Sequence, residues 1–121
     1  MIGIKIGIIS SLLTVVIGAF GAHGLKNILL ENNSADIFQT AVRYQMFHSI
    51  AIIISGILLN HGLVDSKLPI YLFLSGILIF SGSLYILSIS GIKWLGAITP
   101  IGGVLFILGW GLLFISLKSN S

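Results

Sequence analysis

The chain of 121 residues contains no cysteine, which excludes disulfides, thiolate metal sites, iron–sulfur ligation and cysteine nucleophiles together. Acids are almost as scarce: Glu31, Asp36 and Asp65 stand against six Lys and Arg. Charged residues make up 7% of the chain, where a soluble domain carries about 25%. The six cations stand singly, so the net charge of +3 builds no basic patch and no nucleic-acid partner is expected. The two prolines, Pro69 and Pro100, leave long stretches free to be helical.

Hydrophobic residues fill the space, at 56% of the chain and a mean hydropathy of +1.14. Four uncharged runs, 6–25, 44–64, 68–92 and 94–117, hold 90 of the 121 residues. About 20 apolar residues cross a hydrocarbon core of roughly 30 Å, so each run is long enough to span. Short links between runs force antiparallel neighbours. The expectation is one all-α integral membrane domain, 1–121, folded as an up-down-up-down four-helix bundle. Its spans fall at about 2–22, 44–60, 68–90 and 94–117. A soluble enzyme, a disordered chain and a separate extramembrane domain are excluded.

The first span carries small residues at Gly3, Gly7, Ser11, Thr14, Gly18 and Ala22, all on one helix face. Such stripes let backbones approach closely in lipid. Packing inside the monomer's own bundle is the expectation, with a homodimer seam as the alternative. Lys5, the apolar stretch 6–18 and Ala19-Phe20-Gly21 also have the outline of a signal peptide. A disposable segment needs no packing face, so a retained helix is expected.

Ser34 is a suitable N-cap and Asp36 a suitable first-turn acid. A helix from there to Asn60 measures roughly 40 Å at about 1.5 Å per residue, longer than the hydrocarbon core. Residues 34–43 are therefore expected to form an amphipathic interfacial start. In the last span, Pro100 followed by Gly102-Gly103 marks a helix irregularity.

Topology sorts the polar groups. Lys5, Lys67 and Lys118 fall on one side, and Lys26, Arg43 and Lys93 on the other. Three against three leaves the orientation tied under the positive-inside rule. The second side also gathers His23, Tyr44, Gln45, His48, Tyr85, Trp94 and Thr99. Arg43, Gln45, His48 and Tyr85 are expected to line a polar pocket open to the interface, beside His23, Lys26 and Trp94. Arg43 suits a lipid phosphate. The alternative is a network that merely completes helix ends, with the aromatics as a belt.

No reaction finds a credible set of groups, so no catalytic residue, metal or cofactor is expected. All three acids fall in connections, which argues against a proton-coupled exporter. His23, at a loop end, is a poor match in depth for His48, which argues against haem, and a third metal ligand is absent.

Four stretches together carry a resemblance: Gly18-Ala-Phe-Gly-Ala-His-Gly-Leu-Lys26, Thr40-Ala-Val-Arg-Tyr-Gln-Met-Phe-His48, Phe80-Ser-Gly-Ser-Leu-Tyr85 and Trp94-Leu-Gly-Ala-Ile-Thr-Pro-Ile-Gly-Gly103. In this order and spacing the chain resembles the YgdD/YwdK family of small bacterial membrane proteins. That family is a domain of unknown function with a eukaryotic transmembrane relative. The resemblance implies a four-span, multi-pass protein of the bacterial inner (plasma) membrane without signal cleavage. It brings no activity or catalytic residue.

The function expected is therefore a non-enzymatic structural or accessory component. It would bind lipid, a larger membrane complex or itself through the polar face. The alternative is a small-solute transporter or channel acting as an oligomer. A quinone- or haem-linked respiratory accessory ranks third.

Overall fold

The computed structural model describes residues 1–119, and the described residues are helical with short links. Helix α1 runs Ile2–Gly24, α3 Ala35–Asn60, α4 Leu68–Ser90 and α5 Lys93–Ser116, each long and apolar enough to cross a membrane. A short helix, α2 (Lys26–Glu31), lies between the first two. The chain is an all-α four-span bundle, and α3 is a single unbroken helix from its polar start to Asn60.

The helices are not equivalent. Helix α1 packs along α3, α5 packs along α4, and α3 and α4 meet in the middle. The central pair is 39% buried over its apolar windows and the outer pair 22%, so α1 and α5 are the more exposed helices. The core comprises Ala51 and Ile52 of α3, Val64 of the link, Ile70, Phe73 and Ile77 of α4, and Phe106 and Leu113 of α5.

Glycine sets the close contacts. A Cβ on Gly7 would lie 2.9 Å from the Ile53 nitrogen, and one on Gly56 3.0 Å from the Ile4 nitrogen. Only glycine lets the α1 and α3 backbones approach that closely. The α4–α5 seam seats rings over glycines, with Phe73 against Gly109 and Phe106 against Gly76, and brings Gly102 against the backbone of Phe80. The stripe on α1 thus serves packing within the chain. Its hydroxyl register differs from the expected one, however. Ser10 is the buried residue, while half-buried Ser11 bonds back to the Gly7 carbonyl at 2.8 Å.

Two π turns interrupt the α-helices, Ile17–Gly21 in α1 and Ile77–Ser81 in α4. The extra residue in α1 changes the helical phase just where Gly18 and Ala22 were expected to continue the stripe. Both end only partly buried, with Gly18 facing Val42. The proline irregularity is also displaced. Pro100 occupies the first turn of a regular helix, Thr99–Ser116, where its missing N–H costs nothing, and the irregular segment is the 3₁₀ turn Lys93–Ala97 before it. Gly102 and Gly103 lie inside the regular helix.

Hydrogen bonds identify the two ends of the bundle. At one, the Met1 amine donates to Asn60 Oδ1 at 3.3 Å, and Lys118 pairs with Asp65 at 2.9 Å, which gathers Met1 and Lys118 around the 61–67 link. At the other, Asn32 Nδ2 donates to the Ser88 and Ile89 carbonyls at 3.1 and 2.9 Å, closing the end of α4. Ser34 joins it there. Its hydroxyl does not cap α3 but donates to the Ser88 carbonyl at 2.6 Å, supplying a carbonyl that the helix end leaves without a partner.

Candidate functional site

Polar groups inside a bilayer must find partners within the protein, and every buried side-chain nitrogen and oxygen among the described residues has one. Gln45 is the hub of the main network. The Tyr85 hydroxyl donates to its Oε1 at 2.5 Å, and its Nε2 donates to the Ser10 carbonyl at 3.3 Å, so one amide ties α1, α3 and α4 together. Ser49 Oγ donates to the Gln45 carbonyl at 2.6 Å. Its 2.5 Å contact with Ser10 Oγ therefore takes its proton from Ser10. Further along, Ser81 donates to the Ala41 carbonyl and Ser83 bonds Thr99.

His48 belongs to a different cluster, one helix face away. Its Nδ1 lies 2.8 Å from the Tyr44 carbonyl, and its Nε2 lies 3.0 Å from Trp110 Nε1. A carbonyl only accepts and an indole N–H only donates, so the ring is the neutral Nδ1–H tautomer with both nitrogens used. Phe106 stacks on the imidazole at 3.6 Å between centroids and 9° between planes. Tyr44 lies against Phe80 at 4.4 Å, and Phe73 against Trp110 at 4.9 Å. His48 itself is 4% exposed. It sits about five residues, or roughly 7.5 Å, deeper than Arg43 along α3.

Beside this cluster, a groove of about 650 Å³ lies between α3 and α5. Arg43, Tyr44, Met46, Phe47 and His48 line it from α3, Phe80 from α4, and Gly103, Phe106, Ile107 and Trp110 from α5. Six of these ten residues carry rings, which give the walls large apolar faces. The volume and the mostly apolar lining with few polar groups are those of a small-molecule or lipid site. Arg43 is exposed and has no ion pair or hydrogen bond among the described residues.

The expected pocket of Arg43, Gln45, His48 and Tyr85 therefore divides. Arg43 and His48 share the α3–α5 groove. Tyr85 lines a second groove of about 500 Å³ between α1 and α4, with Phe20, Gly21, Leu25 and Phe38, and Gln45 is buried between the two. The division follows from helix geometry, because positions 45 and 48 of α3 point about 60° apart and meet different neighbours. His23, Lys26 and Trp94 are exposed at the same end of the bundle but line neither groove. Among the described residues, no three His, Cys, Asp or Glu side chains converge as metal ligands.

Sequence reasoning missed Trp110, Phe106 and Phe80 as site residues. Trp110 lies in the second half of α5, outside the polar end of the bundle that topology selected. The signal available was the pair of glycines flanking it, Gly109 and Gly111. Gly103, read as part of an irregularity, is a groove wall.

Comparison with known proteins places the chain. A family model described as a protein of unknown function (DUF423) matches residues 17–103. A UPF0382 membrane protein of Staphylococcus haemolyticus is 43% identical over 113 residues, covering 93% of this chain and 92% of the relative. One from Staphylococcus aureus strain bovine RF122 is 42% identical over the same length and coverage. The UPF0382 membrane protein YwdK of Bacillus subtilis is 40% identical over 115 residues, covering 93% of each chain. No solved structure matches the chain. With four spans that pack through glycine and matches over most of its length, the chain belongs to the DUF423 (UPF0382) family of bacterial membrane proteins, whose function is unknown.

Proposed function

We propose that the protein is a non-enzymatic membrane component that receives the hydrocarbon chain of a lipid in the groove between α3 and α5. The observation that carries this reading is the groove itself, about 650 Å³ of ring-lined space on the lipid-facing side of the bundle. Its inner wall, His48 with Trp110 and Phe106, has its polar atoms paired within the protein and turns apolar surface outward. A hydrocarbon chain suits such a wall, because it asks for no hydrogen bond and pays for none. A lipid held there would fill the space between α3 and α5 and brace the outer helix α5 against the central pair.

The test is native mass spectrometry of protein taken gently from its membrane, comparing wild type with Gly103→Leu. A Cβ at Gly103 meets only the Phe80 ring, at 3.9 Å, so the larger side chain fills the groove without striking backbone. The expected result is a lipid-sized added mass on the wild type that is lost in the variant. Equal lipid occupancy in both would overturn the reading. A complex with a second protein, and no lipid in either form, would move the function to protein assembly instead.

A further inference from the structure

The groove reading leaves the lipid's headgroup open. Resting on that reading, we propose that the occupant is an anionic glycerophospholipid whose phosphate is held at the groove's rim by Arg43.

The polar groups on the inner wall of the groove are already committed, which leaves the exposed Tyr44 hydroxyl and the Arg43 guanidinium. Both nitrogens of His48 are bonded, and the Trp110 N–H donates to His48. Arg43 alone presents charge to the groove, and no described side chain neutralises it. The acids cannot do so. Asp65 is at the far end of the bundle, paired with Lys118. Asp36 precedes Arg43 by seven residues on α3, or roughly 10 Å along the axis, and forms no ion pair with it. Glu31 belongs to α2 and forms none either.

Depth selects a headgroup as the missing partner. The 26 residues of α3 span about 39 Å against a core of roughly 30 Å, leaving about 9 Å to protrude. Asp36 and Thr40 place that excess at the polar start of the helix. Arg43, about 12 Å from the start, then has its Cα roughly 3 Å below the core boundary. From there its long side chain reaches the phosphate layer. The planar guanidinium offers a phosphate two parallel N–H donors, which an ammonium does not. A chain bound below and a phosphate bound above make one ligand, a lipid with net negative charge. A zwitterionic headgroup brings its own cation to compete with Arg43.

The test uses detergent-purified full-length protein titrated with phosphatidylglycerol or phosphatidylcholine of identical acyl chains, with bound lipid counted by native mass spectrometry. The wild type is expected to prefer phosphatidylglycerol by about five-fold, the scale of one basic residue near an anionic surface. The preference should shrink as salt rises. Arg43→Gln should remove the preference, Arg43→Lys should keep part of it, and Lys93→Gln, which removes a cation at the same end, should leave it intact. Gly103→Leu should lose both lipids alike. The headgroup proposal is overturned if Arg43→Gln keeps the preference, or if Lys93→Gln abolishes it as fully. In either case the groove reading stands as long as Gly103→Leu empties the site. If Gly103→Leu binds both lipids as the wild type does, the groove reading falls and takes this proposal with it.

Discussion

Trp110 donates its indole N–H to Nε2 of His48 across 62 positions of sequence, at 3.0 Å, and so joins an outer helix to a central one. Among the described residues it is the one hydrogen bond between α3 and α5, which otherwise meet through ring contacts such as that of Phe106 on His48. In a membrane, interhelical hydrogen bonds average about 0.6 kcal/mol and reach about 1.7. Trp110→Phe keeps most of the ring packing against Phe73 and Phe47 while removing the donor. A double-mutant cycle with His48→Phe, measured by reversible unfolding in mixed micelles, is expected to give a coupling of about 0.6–1.7 kcal/mol. Nitrogen-15 NMR of the histidine should independently report a protonated Nδ1 and a bare Nε2. A coupling indistinguishable from zero, or the opposite tautomer, would remove the bond from the account.

The glycines of α5 divide by face, and substitution should separate them. A Cβ on Gly102 would lie 2.8 Å from the Phe80 Cα, a backbone atom that cannot step aside, whereas one on Gly111 meets nothing within 4 Å. Gly102→Ala is therefore expected to destabilise by about 1–3 kcal/mol through overpacking. Gly111→Ala is expected to be neutral or to stabilise by up to about 1 kcal/mol through helix propensity. Melting temperatures of the two variants in the same detergent decide it, and matched shifts would mean that the α4–α5 seam is looser than described.

Much of this architecture is visible in the sequence because bilayer thickness is a strict ruler. Four uncharged runs separated by short polar links leave a single economical topology, and the polar start of α3 shows in Asp36, Thr40 and Arg43 before the apolar stretch. What stays hidden is phase. A reading at 3.6 residues per turn carries one register through a whole helix, but the π turns at Ile17–Gly21 and Ile77–Ser81 each insert a residue and rotate everything after them. Ser10 and Ser11 fit the stripe of α1 almost equally by spacing, and the partner Ser49 decides for Ser10. The candidate site was half legible. Intramembrane polarity pointed to Arg43 and His48, but the apolar rings that shape the groove look like any other lipid-facing residue until α5 is placed against α3.

The π turn in α4 offers the most demanding prediction. Beyond it, α4 carries Ser83 to Thr99, Tyr85 to Gln45, and the Ser88 carbonyl to Ser34. Each contact depends on the phase that the extra residue sets. Deleting Leu78 should convert the turn to regular α-helix and rotate positions 82–90 by about 100°, turning all three groups from their partners. Each group left without a partner in the apolar interior costs about 1–3 kcal/mol. The sum is a large share of the 5–15 kcal/mol typical of a whole domain. The deletion is thus expected to abolish the folded protein. Leu78→Ala removes the same side chain from a position 67% exposed and keeps the phase, so it should change stability by no more than about 0.5 kcal/mol. Size-exclusion profiles and thermal melts of the two variants make the comparison. A deletion variant as stable as Leu78→Ala would show that the polar partners of α4 tolerate rotation and that the π turn is incidental to the fold.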